Sequence, residues 1–162
     1  MIKNFSLRSV KITKNKVEMS WVENEGQKEF SLSSKTPVHP DLTKAVNRLR
    51  PVFRAVFGFK DSAFAVTGAS FKGEAEAAGL NVMGRFATES GKEIGLSTHR
   101  MLFTEEVYGF EHELEEIREN IEVEAYEYIY EGKSSQGTLD FKDEEEPENE
   151  QEDVPEKEEA AA

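Results

Sequence analysis

The 162-residue sequence contains no cysteine. This absence excludes a disulfide framework, thiol catalysis and cysteine-ligated zinc, and it fits a reducing compartment. The sequence also lacks any stretch approaching the roughly 18–20 apolar residues that span a bilayer. Residues 1–5 do not begin a long apolar run of the kind found in signal peptides. The sequence therefore predicts a soluble cytoplasmic protein without membrane contact.

Recognisable catalytic motifs are absent as well. No serine lies in a G-x-S-x-G pattern, and no glycine-rich loop ends in Gly-Lys-Ser or Gly-Lys-Thr. His112 and Glu116 would share one helical face and could hold a metal weakly, but a solvated acidic face explains them better. We therefore predict a protein that is not an enzyme, with no cofactor and no metal. An active site assembled only in three dimensions stays open.

Charge is distributed very unevenly along the chain. Residues 1–104 carry sixteen Lys and Arg against ten Asp and Glu, a net of +6. Residues 105–131 carry eleven Glu against Arg118, and residues 142–162 carry eleven acids against two lysines. The formal net charge of −13 thus hides a basic body followed by an acidic segment and an acidic tail. Such asymmetry is typical of polyanion-binding surfaces and interaction tails.

Alternating apolar residues predict an antiparallel meander in the first third of the chain. The pattern covers residues 5–12, 17–22 and 28–34, and polar turns fall between these segments. Alternation with period two is typical of strands with one buried face. Further strands are predicted at residues 64–71, 80–88 and 93–101, with a hairpin turn at residues 90–91. Three glycines in this region indicate bulges or sharp curvature; they are Gly68, Gly84 and Gly95.

Two helices are predicted. The first begins near residue 39, where Asp41 is expected to cap it, and Pro51 should end or kink it. Gly58 would then terminate a second piece. The other helix, at residues 106–131, has one apolar stripe that consists of Phe110, Leu114, Ile117, Ile121, Ala125 and Tyr128. The acidic residues expected to face water are Glu113, Glu115, Glu119 and Glu122.

These patterns predict an α+β fold. We expect a curved antiparallel sheet with one short kinked helix and one long C-terminal amphipathic helix, followed by a disordered acidic tail. Residues 1–132 form the domain, and residues 133–141 form a linker with a candidate partner-binding peptide. Residues 142–162 are the tail, which has too few apolar residues to offset the entropy lost on ordering.

Basic residues and aromatic rings in the body suggest a nucleic-acid interface. Phosphates need Lys and Arg on one face, and single strands also stack their bases on rings. A hairpin around Lys14 and a helix around Arg48 are the expected basic surfaces. The candidate nucleic-acid-binding residues are Lys11, Lys14, Lys16, Trp21, Lys44, Arg48, Arg50, Arg54 and Arg85.

Two alternatives to that interface stay open. The rings can simply form the core of a β-rich domain; these are Trp21, Phe30, Phe59, Phe71 and Phe86. The cations can instead pair with the acidic C-terminal helix, which carries about the right charge.

A short string between the long helix and the tail resembles the bacterial sliding-clamp-binding peptide. Gln136, Leu139 and Phe141 match that motif, while Gly137 departs from its usual leucine. In that family the glutamine fills a polar pocket and the two apolar residues enter a hydrophobic one. The resemblance implies a sliding clamp or another replication protein as partner. Alternatively, Leu139 and Phe141 fold back as a last short strand.

A basic β-rich body with an acidic tail resembles bacterial and phage single-stranded-DNA-binding proteins. Their tails occupy their own DNA groove and recruit partners. The tail of this chain ends in Glu-Glu-Ala-Ala-Ala, without the terminal aromatic residue used for recruitment. The two predicted helices also depart from a plain OB barrel. Stretches such as residues 39–51 and 131–136 resemble small uncharacterised phage and prophage proteins.

The leading hypothesis is therefore a non-enzymatic accessory protein of phage-type DNA replication or recombination that binds single-stranded DNA. Its location would be the host cell cytoplasm. The alternative is an acidic protein-binding module that mimics nucleic acid or inhibits a host DNA-binding protein. The sequence leaves the oligomeric state open.

Overall fold

The computed structural model describes residues 2–59, 63–105 and 111–135, without the side chains of residues 111 and 112. Within these residues the chain forms seven strands, three α-helices and one 3-10 helix. The strands are β1 (Phe5–Thr13), β2 (Lys16–Glu23), β3 (Lys28–Ser34), β4 (Phe64–Lys72), β5 (Gly79–Ala87), β6 (Glu93–Ser97) and β7 (Met101–Leu102). The helices are α1 (Pro40–Asn47), α2 (Arg50–Phe57) and α3 (Glu111–Tyr130), and the 3-10 helix covers Ala75–Ala77.

All described strands form one curved antiparallel sheet, and the α+β prediction is confirmed. The strand order is β3-β2-β1-β4-β5-β6, and β7 pairs with β5 beyond the end of β6. The predicted meander therefore forms one half of the sheet, and the middle of the chain forms the other half. β1 and β4 meet at the centre, so their contact joins the two halves.

The helical segment at residues 40–57 is kinked, as Pro51 predicts. α1 ends at Asn47, and α2 restarts at Arg50 with the proline in its first turn, where a missing amide proton costs nothing. Gly58 ends α2 with φ 69°. The cap at the start differs from the prediction, because His39 Nδ1 accepts the Asp41 N–H at 3.2 Å. Asp41 lies two residues beyond the N-cap position, inside the first turn of α1.

The predicted strand at residues 93–101 is interrupted at Thr98. Its buried hydroxyl accepts the Val82 N–H at 2.9 Å, and the Thr98 N–H donates to the Val82 carbonyl at 2.9 Å. A side-chain oxygen thus replaces a backbone acceptor. The chain consequently pairs with β5 in two pieces, β6 and β7.

Two glycines permit close approach of neighbouring elements. The β4–β5 register shifts between Val66 and Gly68, and a Cβ at Gly68 would collide with the Val10 carbonyl of β1. Gly84 pairs with Val66 on the other side of the same shift, and a Cβ there would lie 2.6 Å from the Phe53 ring. Gly68 and Gly84 therefore both flank a bulge, as predicted, and Gly84 also admits the Phe53 ring of α2 onto the sheet, whereas the ladder is regular at Gly95.

The apolar stripe of α3 packs on the sheet and on α1. Leu114, Ile117, Ile121, Ala125 and Tyr128 are buried, as predicted. Phe110 lies outside the described residues, as does the predicted first turn at residues 106–110. Among the glutamates expected to face water, those at 113, 115 and 119 do so. The remaining one, at 122, is buried, and this part of the prediction is wrong.

We expect Ile117→Ala to destabilise the domain strongly and Glu115→Gln to have almost no effect. Ile117 is 2% exposed in the core, and removing such a side chain costs about 2–5 kcal/mol. The exposed Glu115 should contribute no more than about 0.5 kcal/mol, and losing one of many like charges relieves repulsion. Denaturant unfolding of both variants measures the difference. Equal, small effects would mean that α3 does not pack on the domain.

Candidate nucleic-acid interface

The predicted basic hairpin lies at one end of the sheet. Lys11 on β1 and Lys14 in the following turn are exposed. Lys16 Nζ donates to Glu18 Oε1 at 2.9 Å, and this hydrogen bond lowers the pKa of Glu18. Two of the three predicted lysines therefore remain as an exposed pair at the hairpin end.

The cations of α1 and of the kink make ion pairs within the domain. Lys44 Nζ lies 3.7 Å from Asp41 Oδ1, and Arg48 Nη2 donates to Glu116 Oε1 at 3.0 Å. The second contact joins the kink to α3, so part of the intramolecular pairing considered above is real. These side chains are exposed, and such pairs stabilise a fold by only about 0–1 kcal/mol.

Arg50 and Arg54 lie together beside a shallow hollow of about 460 Å³. Arg50 Nη1 donates to the Phe64 carbonyl at 2.8 Å, and its guanidinium carbon lies 4.1 Å from the Phe64 ring centroid. Arg54 Nε donates to the Phe59 carbonyl at 3.0 Å. The two guanidinium groups therefore donate to the carbonyls of Phe64 and Phe59, and Phe59 lines the same hollow.

Arg85 lies apart from the other predicted cations, on β5. Its Nη1 donates to Glu93 Oε2 on the neighbouring strand β6 at 3.1 Å. This cross-strand pair stabilises the hairpin between those strands. The neighbouring Gly84 faces Phe53 of α2, so Arg85 lies on the opposite face of the sheet from the cations of α2.

Most of the candidate rings are packed inside the domain. Trp21 is 6% exposed and Phe71 is also buried. Phe59 and Phe86 stack on each other with centroids 4.9 Å apart. Phe30 is 39% exposed, but it stacks on Trp21 at 5.6 Å. The rings thus form core contacts, and they do not line up as a platform for bases.

A cleft of about 810 Å³ opens where β1 and β4 diverge. The two strands pair only from Ser9–Ser70 to Lys11–Gly68. Continuing this register would set Leu7 opposite Lys72, but the ladder stops before that point. The sheet therefore has a notch at one end of its central seam, and the cleft occupies it.

Glu122 of α3 closes the inner end of this notch. The residue is 4% exposed, and its Oε2 accepts the Leu7 N–H at 3.1 Å. The same oxygen lies 3.5 Å from Arg118 Nη2. The carboxylate satisfies a strand amide that β4 does not reach, and Arg118 compensates its charge. The helical periodicity of α3 could not predict that Glu122 is buried. Its partner, the Leu7 amide, is left without a strand acceptor only because β1 and β4 diverge.

Four cations line the cleft, and none of them was among the predicted site residues. They are Lys3, Arg8, Lys72 and Arg118, against the acidic Glu25 and Glu74. The arrangement can bind a ligand that carries several negative charges. One sequence signal pointed to it: Arg118 is the lone cation among the eleven glutamates of residues 105–131. The other three are brought together only by the strand order.

A second charged cluster holds the chain that follows α3. Lys133 Nζ donates to Glu124 at 2.7 Å and to Glu127 at 2.6 Å, and lies 3.4 Å from Asp41. The hydrogen bonds to the two glutamates raise the pKa of Lys133 well above its ordinary value. Ser134 then pairs with Val38. Lys133 and Ser134 therefore pack against the domain. The predicted partner-binding residues Gln136, Leu139 and Phe141 lie outside the described residues.

Comparisons with known proteins give no relative: no family model, no curated protein and no solved structure matches this chain. Across the described ranges, no helix is long and apolar enough to cross a membrane. In the same residues, no group of three or more His, Asp or Glu side chains could hold a metal ion. The weak metal site considered at His112 and Glu116 depends on a side chain outside the description.

We expect Glu122→Ala to destabilise the domain by about 1–3 kcal/mol, because it leaves the buried Leu7 amide without its acceptor. Glu122→Gln should cost less, since an amide oxygen can still accept the Leu7 N–H. Glu119→Ala, on the exposed face of the same helix, serves as the control. Urea unfolding of the three variants gives the ranking. A cost for Glu122→Ala no larger than that of the control would contradict the role assigned to this carboxylate.

Proposed function

We propose that this protein is a non-enzymatic accessory protein that binds single-stranded DNA in the cleft between β1 and β4. The observation that carries the proposal is the convergence of Lys3, Arg8, Lys72 and Arg118 around one notch. With Glu25 and Glu74 in the lining and Glu122 paired with Arg118, the cleft has a net charge of about +1 within a chain of −13. Such a local excess attracts phosphates, which dominate the affinity of DNA-binding proteins.

The size of the cleft favours a single strand over a duplex. A volume of about 810 Å³ lies in the range of small-ligand pockets, so it suits a few nucleotides. Of the rings in its lining, Phe5 and Phe71 are buried and Phe103 is half-buried beneath Arg118. We therefore expect contacts to phosphates to dominate over base stacking. Binding should depend strongly on salt and weakly on base identity.

Phage-type DNA replication or recombination is the setting that the sequence resemblance suggests. A partner peptide at Gln136, Leu139 and Phe141 would begin directly after Ser135, whose N–H donates to the Pro37 carbonyl at 3.2 Å. A sliding clamp bound there would lie next to the domain. This tether would keep the DNA cleft and the replication machinery close together.

The acidic protein-binding module remains the second candidate, and the outer face of α3 favours it. Glu113, Glu115 and Glu119 are exposed there, so they could imitate the phosphates of a nucleic acid. This function would use a different surface from the cleft. The two candidates are therefore separable by substitutions on α3 and in the cleft.

Charge reversal in the cleft tests the proposal. We expect Lys3→Glu combined with Lys72→Glu to weaken binding of a short single-stranded oligonucleotide at low salt at least about tenfold. The logarithm of the association constant falls linearly with the logarithm of the salt concentration. Losing two phosphate contacts should make this negative slope shallower by about 1.4. Both lysines are exposed, so folding should be unaffected. Fluorescence anisotropy over a salt series gives both quantities.

The matched control is Lys11→Glu with Lys14→Glu, which makes the same change of net charge on the hairpin. If binding weakens only with the hairpin variant, the DNA-binding site lies on the basic hairpin and not in the cleft. Equal small losses from both would indicate diffuse attraction. If the unchanged protein does not bind at low salt, the proposal is wrong.

Removing residues 142–162 should tighten binding to the same oligonucleotide, more at low salt than at high salt. The segment carries eleven acids against two lysines. A tethered polyanion has a millimolar effective concentration near the body, so it competes with DNA, and salt screens that competition. Anisotropy titrations of both chains measure the effect. Unchanged affinity at low salt would show that the acidic segment does not reach the DNA site.

A further inference from the structure

Strand β3 is an end strand whose outer edge meets no other described strand. It pairs with β2 over its whole length, without a register shift. It starts with the charged Lys28 and Glu29, but its remaining five residues, 30–34, carry no charge, no proline and no bulge. Proteins usually protect such an edge by one of those features, because a flat edge is a template for another strand.

An apolar strip accompanies this free edge. Phe30 is 39% exposed and Leu32 is half-buried, and both lie on the face that also bears Trp21 and Met19. Tyr130 of α3 is 49% exposed and lies 6.4 Å from Trp21 between ring centroids. Among the described residues, the edge therefore offers backbone groups without a strand partner, together with exposed apolar surface.

We propose that β3 pairs antiparallel with β3 of a second copy of this chain, with the two-fold axis at Leu32. Each Leu32 then lies directly opposite its equivalent, and Phe30 packs diagonally against it. The two sheets continue into one another. Closed two-fold pairing through one self-complementary patch is the commonest way in which identical subunits associate.

Charge complementarity identifies a second copy as the occupant. If the pairing extends one residue beyond the end of β3 at Ser34, Glu29 lies opposite Lys35 of the second copy in this register, and symmetry repeats the pair at the other end. Both side chains are exposed and have no ion-pair partner among the described residues. Opposite charges directly across a sheet stabilise the pairing.

The other free edge is a poorer match. β6 has five residues with Gly95 at its centre, and its glutamate already pairs with Arg85. Gly weakens a strand, and a shorter ladder forms fewer hydrogen bonds. The interface at β3 is itself small, and the net charge of −13 opposes association. We therefore expect a Kd on the order of 10–100 µM.

Sedimentation equilibrium of the full chain at physiological salt tests this proposal. Glu29→Lys alone sets lysine against lysine, and Lys35→Glu alone sets glutamate against glutamate. Each variant should therefore dimerise about tenfold more weakly than the unchanged chain. An equimolar mixture of the two variants restores opposite charges at both ends, so it should dimerise at least as tightly as the unchanged chain.

Two controls accompany these variants. Glu89→Lys makes the same change of net charge far from β3, and Ser97→Lys adds a charge to the β6 edge; neither should weaken the dimer. A chain that remains monomeric at several hundred micromolar overturns the proposal. It is also overturned if the mixture of Glu29→Lys and Lys35→Glu associates no better than its components, or if Ser97→Lys is the disruptive change.

Discussion

The hydrogen bond from the Leu7 amide to Glu122 stabilises the sheet at the point where β1 and β4 diverge. β1 lies at the centre of the sheet, and its ladder with β4 stops at Ser9. On the N-terminal side of Ser9, this central strand would have a buried amide without a hydrogen-bond acceptor, which costs about 1–3 kcal/mol. A carboxylate from α3 satisfies that amide. It can be buried only because Arg118, one helical turn away, lies within 3.5 Å of it.

This one contact also links stability to the proposed binding site. The divergence of the strands creates the cleft, and the residue that compensates Glu122 is one of the four cations lining it. Arg118 is held by Glu122 on one side and lies over the Phe103 ring on the other, with its guanidinium carbon 5.9 Å from the centroid. A guanidinium held in this way has lost part of its conformational freedom before a ligand arrives. The entropy lost on binding is correspondingly smaller.

Local patterns predicted most of the fold. The alternation in β1 and β2, the kink at Pro51 and the stripe of α3 each depend on residues within a few positions of one another. The cap predicted at Asp41 failed for a local reason, because His39 caps α1 instead. Two other predictions that were wrong depended on contacts between distant segments. Thr98 interrupts a strand because Val82 is its neighbour, and Glu122 is buried because β1 and β4 diverge. Neither fact is visible in a local pattern.

The candidate site was less predictable than the fold for the same reason. Density of cations along the chain pointed to Arg48, Arg50 and Arg54, yet a helix projects such closely spaced residues in several directions. Arg48 donates to Glu116, whereas Arg50 and Arg54 donate to backbone carbonyls, those of Phe64 and Phe59 respectively. Two of the cations that converge at the cleft come from different strands, Arg8 from β1 and Lys72 from β4. Their convergence is set by strand order, so sequence spacing carries no trace of it, and only the isolated Arg118 in an acidic helix gave a hint.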